Sequence, residues 1–120
     1  RQYGVVVTSN LFGDILTDLG AALQGGLGLA ASGNIHPGRV SLFEPVHGSA
    51  PPLAGKQEAN PAGAILSAAL MLEYLGQTEA AGAVERAVRD SIAAGETTRD
   101  LGGQLSTTQA GERIRSRIKL

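Results

Sequence analysis

Hydrophobic and polar positions along the 120 residues alternate with two different periods, and each change of period marks a new element. Residues 3–8, YGVVVT, are rich in β-branched side chains and predict a strand. From Asn10 the spacing becomes helical, with Ile15, Leu16, Leu19, Ala22 and Leu23 on an apolar side, Asn10 as N-cap, and Gly25 and Gly26 as the stop. Residues 25–39, GGLGLAASGNIHPGR, follow neither period and predict a long loop of the kind that often carries function. Alternation returns in residues 40–44, VSLFE, a short strand that delivers its end to the bend PVHGSAPP.

The second half reads as three helices. Asn60 and Pro61 form a start signal, an N-cap followed by a proline whose missing N–H costs nothing at the first helical position. The helix they open runs over residues 61–75, with Ala64, Ile65, Ala68, Ala69, Leu72 and Leu75 on one side and Gly76 at its end. Thr78 caps a second helix reaching to about Ala94, with Ala80, Val84, Ala87, Val88 and Ile92 inside and Glu85, Arg86, Arg89 and Asp90 outside. After the turn-rich ETTRDLGG, a last helix begins near Thr107 or Thr108, places Ala110, Ile114 and Ile118 at four-residue spacing, and ends in a basic, solvated terminus.

Composition narrows the function classes. Hydrophobic content of 42% is ordinary for a protein with a core, but two Tyr, two Phe and no Trp leave that core to Ala, Val, Ile and Leu. Seventeen glycines, about twice the usual share, imply tight turns and close backbone approaches. A net charge of -1 offers no broad basic face for nucleic acid or anionic membrane. The absence of cysteine excludes disulfide frameworks, thiolate zinc sites and cysteine nucleophiles. No apolar run is long enough to span a bilayer, and no secretory signal is visible, so a cytoplasmic location is expected. The start at Arg1, directly followed by a buried-type strand, predicts a truncated chain with a sheet partner upstream.

The candidate chemistry centres on Asp14 and Asp18. At four-residue spacing on a helix both carboxylates share one face, which fits either a hard divalent cation completed by substrate and water, or a solvated face carrying two like charges. His47 stands in a bend whose Gly48, Ser49 and Ala50 leave backbone N–H groups open to a phosphate or ribose, although a lone His is more often a packed or surface residue.

Taken together, NLFGDILTD at residues 10–18, GGLGLAASGNI at 25–35, FEPVHGSAP at 43–51, AGK and ANP within 54–61, and DLGG at 100–103 resemble the C-terminal part of the isopropylmalate/isocitrate dehydrogenase family, the β-decarboxylating hydroxyacid dehydrogenases. The resemblance spans nearly the whole chain. It implies the family's own α/β fold, with helices packed on a mixed sheet, incomplete in this chain. Residues 1–28 would close a central, dimer-forming domain and residues 29–120 would form the cofactor-binding part of a larger one. It further implies Asp14 and Asp18 as ligands of Mg²⁺ or Mn²⁺, and Glu44, His47, Gly48, Ser49, Ala50 and Leu53 at the cofactor. Asn60 would contact adenine, and the loop through Gly28 and Ser32 would pass near the nicotinamide.

The implied activity is oxidative decarboxylation of a 2-hydroxy dicarboxylic acid by a homodimer, with (2R,3S)-3-isopropylmalate and leucine biosynthesis first and homoisocitrate, tartrate or isocitrate as alternatives. A non-catalytic regulatory subunit of the same fold is the competing class. NAD is expected because Pro52 and Leu53 stand where NADP-dependent relatives carry Lys and Tyr, although Pro52 also replaces the acid of NAD-dependent ones. The family's substrate arginines, catalytic Tyr and Lys, and a further metal-binding Asp match nothing here; Tyr3 and Lys56 do not occupy those positions. The chain alone is therefore expected to lack activity.

Overall fold

The computed structural model describes residues 4–119. Four helices and a two-stranded sheet follow in the order α1 (Asn10–Leu23), β1 (Ala31–Asn34), β2 (Leu42–Pro45), α2 (Ala62–Tyr74), α3 (Thr78–Ala93) and α4 (Thr107–Arg117). Single 3₁₀ turns lie at Leu27–Leu29, Pro51–Leu53 and Arg99–Leu101.

The core is helical. Ala62 of α2, Ala87 and Val88 of α3 and Ile114 of α4 are buried together, with Leu29, Ile65, Leu66, Ile92 and Ile118 packed around them. Small side chains on α2 and α3 let the backbones approach closely, and Ala69 and Ala87 are almost wholly excluded from solvent. Some helix boundaries follow the expected signals, but Thr78 and Asn10 are first helical residues and not caps, with Gln77 and Ser9 before them making no side-chain cap bond. Asn60 Oδ1 accepts the Ala62 N–H at 2.9 Å, and Gly76 and Gly95 take φ of 78° and 71° after the helices they end. At α4 the cap is Ser106, one residue before the expected start, in a reciprocal capping box with Gln109.

The sheet is a two-stranded antiparallel ladder pairing Ala31 with Pro45 through Asn34 with Leu42, and it packs on α2. Gly33 lies opposite Phe43, where a Cβ would come within 3.1 Å of the ring. That ring leans on Tyr74 of α2 at a centroid distance of 5.6 Å.

Four sequence expectations need correction. Within the opening strand, Tyr3 lies outside the described residues and Gly4 to Thr8 form no strand; Val7 is 92% exposed, and a strand without a ladder partner has nothing to hold it. The loop at 25–39 does contain structure, the Leu27–Leu29 turn and β1, stabilised by pairing with β2 rather than by its own residue types. In α2 and its cap, Ala69 is buried as expected, but Ala64, Ala68 and Leu75 face solvent, while Gly63 and Ser67, outside the expected stripe, are buried. A segment that is apolar all round does not tell its period which side has a neighbour. The basic end of α4 is not simply solvated, since Arg117 donates to Glu96 at 2.8 Å and ties the helix to the connection after α3.

Candidate functional site

Successive residues of the bend after β2 line two hollows. The larger, about 760 Å³, runs between α1 and the sheet and is bordered by Asp14, Thr17, Gln24, Ser32, Glu44 and Val46, among others. The smaller, about 260 Å³, begins one residue later and is bordered by His47, Ser49, Ala50, Leu53, Asn60 and Asp100, with Gly28, Glu58 and Ala59 completing it. Val46 and His47 are thus the chain step from one hollow to the next.

Asp14 reaches the larger hollow because α1 turns its Asp14–Thr17–Ala21 side toward the sheet. The helix begins after Ser9, whose carbonyl accepts the Gly13 N–H at 2.8 Å; neither Ser9 nor Asn10 caps it with a side chain. Asp18 lies one turn further along and does not border either hollow. Both carboxylates are exposed, and among the described residues neither makes a hydrogen bond or an ion pair. Two unclaimed carboxylates with oxygen-only donors suit a hard divalent ion such as Mg²⁺ or Mn²⁺. They do not form a complete shell, since no group of three or more His, Asp or Glu converges among the described residues.

The bend is held in a strained shape. Ala50 has φ 43° and ψ 61°, left-handed geometry that costs a non-glycine residue about 1–3 kcal/mol and is retained where the surroundings fix it. His47 Nδ1 lies 3.0 Å from the Gly48 carbonyl oxygen. A carbonyl only accepts, so the proton sits on Nδ1 and Nε2 is left as an acceptor in the neutral ring. Further along the chain Gln57, also at positive φ (58°), accepts from the Thr108 hydroxyl at 2.7 Å, and its carbonyl accepts the Thr107 N–H. These bonds clamp the connection before α2 onto the start of α4.

Of the residues expected at a cofactor, His47, Ser49, Ala50, Leu53 and Asn60 come together around the smaller hollow. Gly48 belongs to the same bend without bordering it, and Glu44 stands in the larger hollow on the Asp14 side. The Gly28 to Ser32 loop divides. Ser32 borders the Asp14 hollow, but Gly28 abuts Asn60, so it lies at the end expected for adenine rather than nicotinamide. Sequence reasoning met Glu58 in the connection after His47 and Asp100 in the DLGG motif but gave neither a role at the cofactor. The T-x-D spacing of Thr98 and Asp100 signals a local turn, but its meeting with Asn60, forty residues away, is a product of the fold.

Among solved structures, isocitrate dehydrogenase from Methylococcus capsulatus superimposes with a TM-score of 0.89 at 50% identity, over 95% of this chain and 34% of that one. The architecture is therefore that of an α/β hydroxyacid-dehydrogenase segment. Residues 1–114 match the isocitrate/isopropylmalate dehydrogenase family, and the chain belongs to it. The 3-isopropylmalate/3-methylmalate dehydrogenase of Methanocaldococcus jannaschii is 57% identical over 119 residues, covering 99% of this chain and 35% of the relative. The isocitrate/homoisocitrate dehydrogenase of Thermus thermophilus is 55% identical, over 99% and 35%. The chain spans about a third of the length of the curated relatives it matches.

Proposed function

We propose that this chain supplies the metal and dinucleotide residues of an NAD-dependent β-decarboxylating dehydrogenase acting on a 2-hydroxy dicarboxylic acid. The observation that supports this reading best is that successive residues, Val46 and His47, line the two hollows, one carrying Asp14 and the other carrying His47 and Asn60. A bound divalent ion would supply Lewis-acid stabilisation of oxyanions on the substrate. Asp14 and Asp18 would hold it, leaving most of its shell to substrate and water.

The dinucleotide would lie along the bend, its ribose and phosphates against the small residues 48–50 and its base toward Asn60. Among the described residues the smaller hollow carries Glu58 and Asp100 and no Lys or Arg in its wall. Two carboxylates facing a 2′-phosphate would repel it, which favours NAD over NADP even though Pro52 offers no acceptor to the ribose. A regulatory subunit is the weaker reading, because two like charges kept unpaired one turn apart serve no structural purpose.

3-Isopropylmalate is the substrate we favour. The 57% and 55% identities to relatives named for different acids leave isocitrate or homoisocitrate as the second choice. Among the described residues no Tyr and Lys pair borders the hollows, so proton transfer and substrate-carboxylate recognition would fall to residues outside this chain, with a homodimer as the working form. The purified chain is expected to bind Mn²⁺ and NAD yet to give no NADH from isopropylmalate. Calorimetry with each ligand checks the first part, and failure to bind either would overturn the assignment.

A further inference from the structure

The Asn60 carboxamide is locked by partners that can each play only one part. Its Oδ1 accepts the Ala62 N–H at 2.9 Å, and its Nδ2 donates to Asp100 Oδ2 at 2.9 Å. A backbone N–H cannot accept and an ionised carboxylate cannot donate, so a flipped amide would set N–H against N–H and oxygen against oxygen. Asp100 is itself held, because its Oδ1 accepts the hydroxyl of Thr98 at 2.5 Å and Thr98 is 1% exposed. Gly28 closes the remaining side. A Cβ there would lie 2.8 Å from Asp100 Oδ2 and 3.2 Å from Asn60 Cβ, so bare backbone is needed for the pair to sit as it does. Asn60, Asp100 and Gly28 all border the His47 hollow.

We propose that Asp100, anchored by Thr98, is a positioning residue that fixes the orientation of the Asn60 carboxamide and thereby makes the hollow selective for adenine over a 6-oxopurine. This rests on the cofactor reading above. With its two bonds made, the carboxamide retains one N–H on Nδ2 and one lone pair on Oδ1. Adenine offers the complementary edge, an acceptor at N1 beside the donor 6-amino group. Hypoxanthine offers the reverse, a donor at N1 beside an acceptor at O6, and could pair only with a flipped amide. Discrimination therefore depends on an amide that does not turn.

The test compares NAD with nicotinamide hypoxanthine dinucleotide, each titrated calorimetrically into the complete 120-residue chain. The unaltered chain should prefer NAD by about tenfold or more, the scale on which mismatched hydrogen bonds discriminate ligands. Asp100→Asn keeps the size of the side chain but can meet Asn60 with either an oxygen or an NH₂, and should bring the ratio to within about threefold of unity by relaxing that constraint. Thr98→Val removes only the anchor and should lower the ratio in the same direction. An unchanged ratio in both variants, whatever their melting temperatures, would show that Asp100 is only a brace and overturn the proposal. Should Asp100→Asn fail to fold by circular dichroism, an unchanged ratio in Thr98→Val suffices to reject it. Equal binding of both dinucleotides by the unaltered chain would defeat the positioning role while leaving the cofactor reading intact. Binding of neither would defeat both.

Discussion

α1 and α3 are of similar length and both amphipathic, yet they end in opposite surroundings. α3 buries Ala81, Ala83, Ala87, Val88 and Ser91 against its neighbours. α1 carries the larger apolar side chains, Leu11, Phe12, Ile15, Leu16, Leu19 and Leu23, and all of them are exposed, Leu23 to 86%. Only Ala21 is buried, and the chief neighbour of α1 is the Leu27–Leu29 turn. Burial is decided by what stands opposite a helix, not by how apolar the helix is. The proposed metal residues thus ride on the loosely attached helix, whereas Asn60 and Asp100 lie in the connections that flank the packed pair α2 and α3. An apolar face of that extent is the kind that marks an interaction surface.

The contrast breaks most visibly under truncation of each region. Ile114→Ala removes the α4 side chain from the shared core and should cost about 2–5 kcal/mol, the range for buried Ile or Leu to Ala. Leu19→Ala on α1 should stay within about 0.5 kcal/mol, as exposed substitutions do. Urea denaturation of both variants measures this, and comparable losses would mean that α1 is packed in solution.

A smaller effect joins the core to the His47 hollow. Gly63 of α2 is buried, and a Cβ there would sit 3.0 Å from the Gly28 carbonyl oxygen, which is backbone and has little room to give. Gly63→Ala should destabilise by about 1–3 kcal/mol through overpacking and should also weaken NAD binding, because Gly28 would be pushed toward Asn60 and Asp100. Stability loss with unaltered NAD affinity would show that the hollow is insulated from the core.

On the loose element the expectation reverses. Asp14→Asn should lower Mn²⁺ affinity by about tenfold or more while leaving the melting temperature nearly unchanged, since among the described residues the carboxylate makes no hydrogen bond or ion pair and the change removes only a like charge from beside Asp18. Paramagnetic resonance of free Mn²⁺ gives the affinity. Equal binding by the variant would remove Asp14 from the metal site.

How far the sequence was legible follows the same division. Stops and starts were readable where one residue type has a local reason to be there: Asn60 before Pro61, Gly76 and Gly95 after their helices, Gly25 and Gly26 after α1. The one-turn spacing of Asp14 and Asp18 and the HGSA bend were readable as local geometry, although only Asp14 of the pair borders a hollow. What escaped depends on partners distant in the chain. ASGN is a strand only because LFEP pairs with it and α2 lies beneath, and residues 4–8, GVVVT, are not one because among the described residues nothing pairs with them. The buried side of α2 is chosen by its neighbours, and Asp100 meets Asn60 across forty positions.

The gentlest probe concerns the far end of the packed region, where Glu96 receives Arg117 at 2.8 Å and lies 3.9 Å from Arg113. The hydrogen bond from Arg117 holds the Glu96 carboxyl below its ordinary value of 4.5; partial desolvation opposes this, and the charges of Arg117 and Arg113 reinforce it. A carboxyl depressed in the folded state contributes stability above its unfolded pKa, and that contribution is lost as pH falls through the folded value. Glu96→Gln should therefore be less stable than the unaltered chain near neutrality, with the gap closing below the ordinary 4.5 as the native carboxyl takes up its proton. The difference should be small, because all three side chains keep contact with water and with salt ions. Melting temperatures of both proteins across the acid range decide the matter, and a gap that stays constant with pH would place the contribution of Glu96 in its packing instead of its charge.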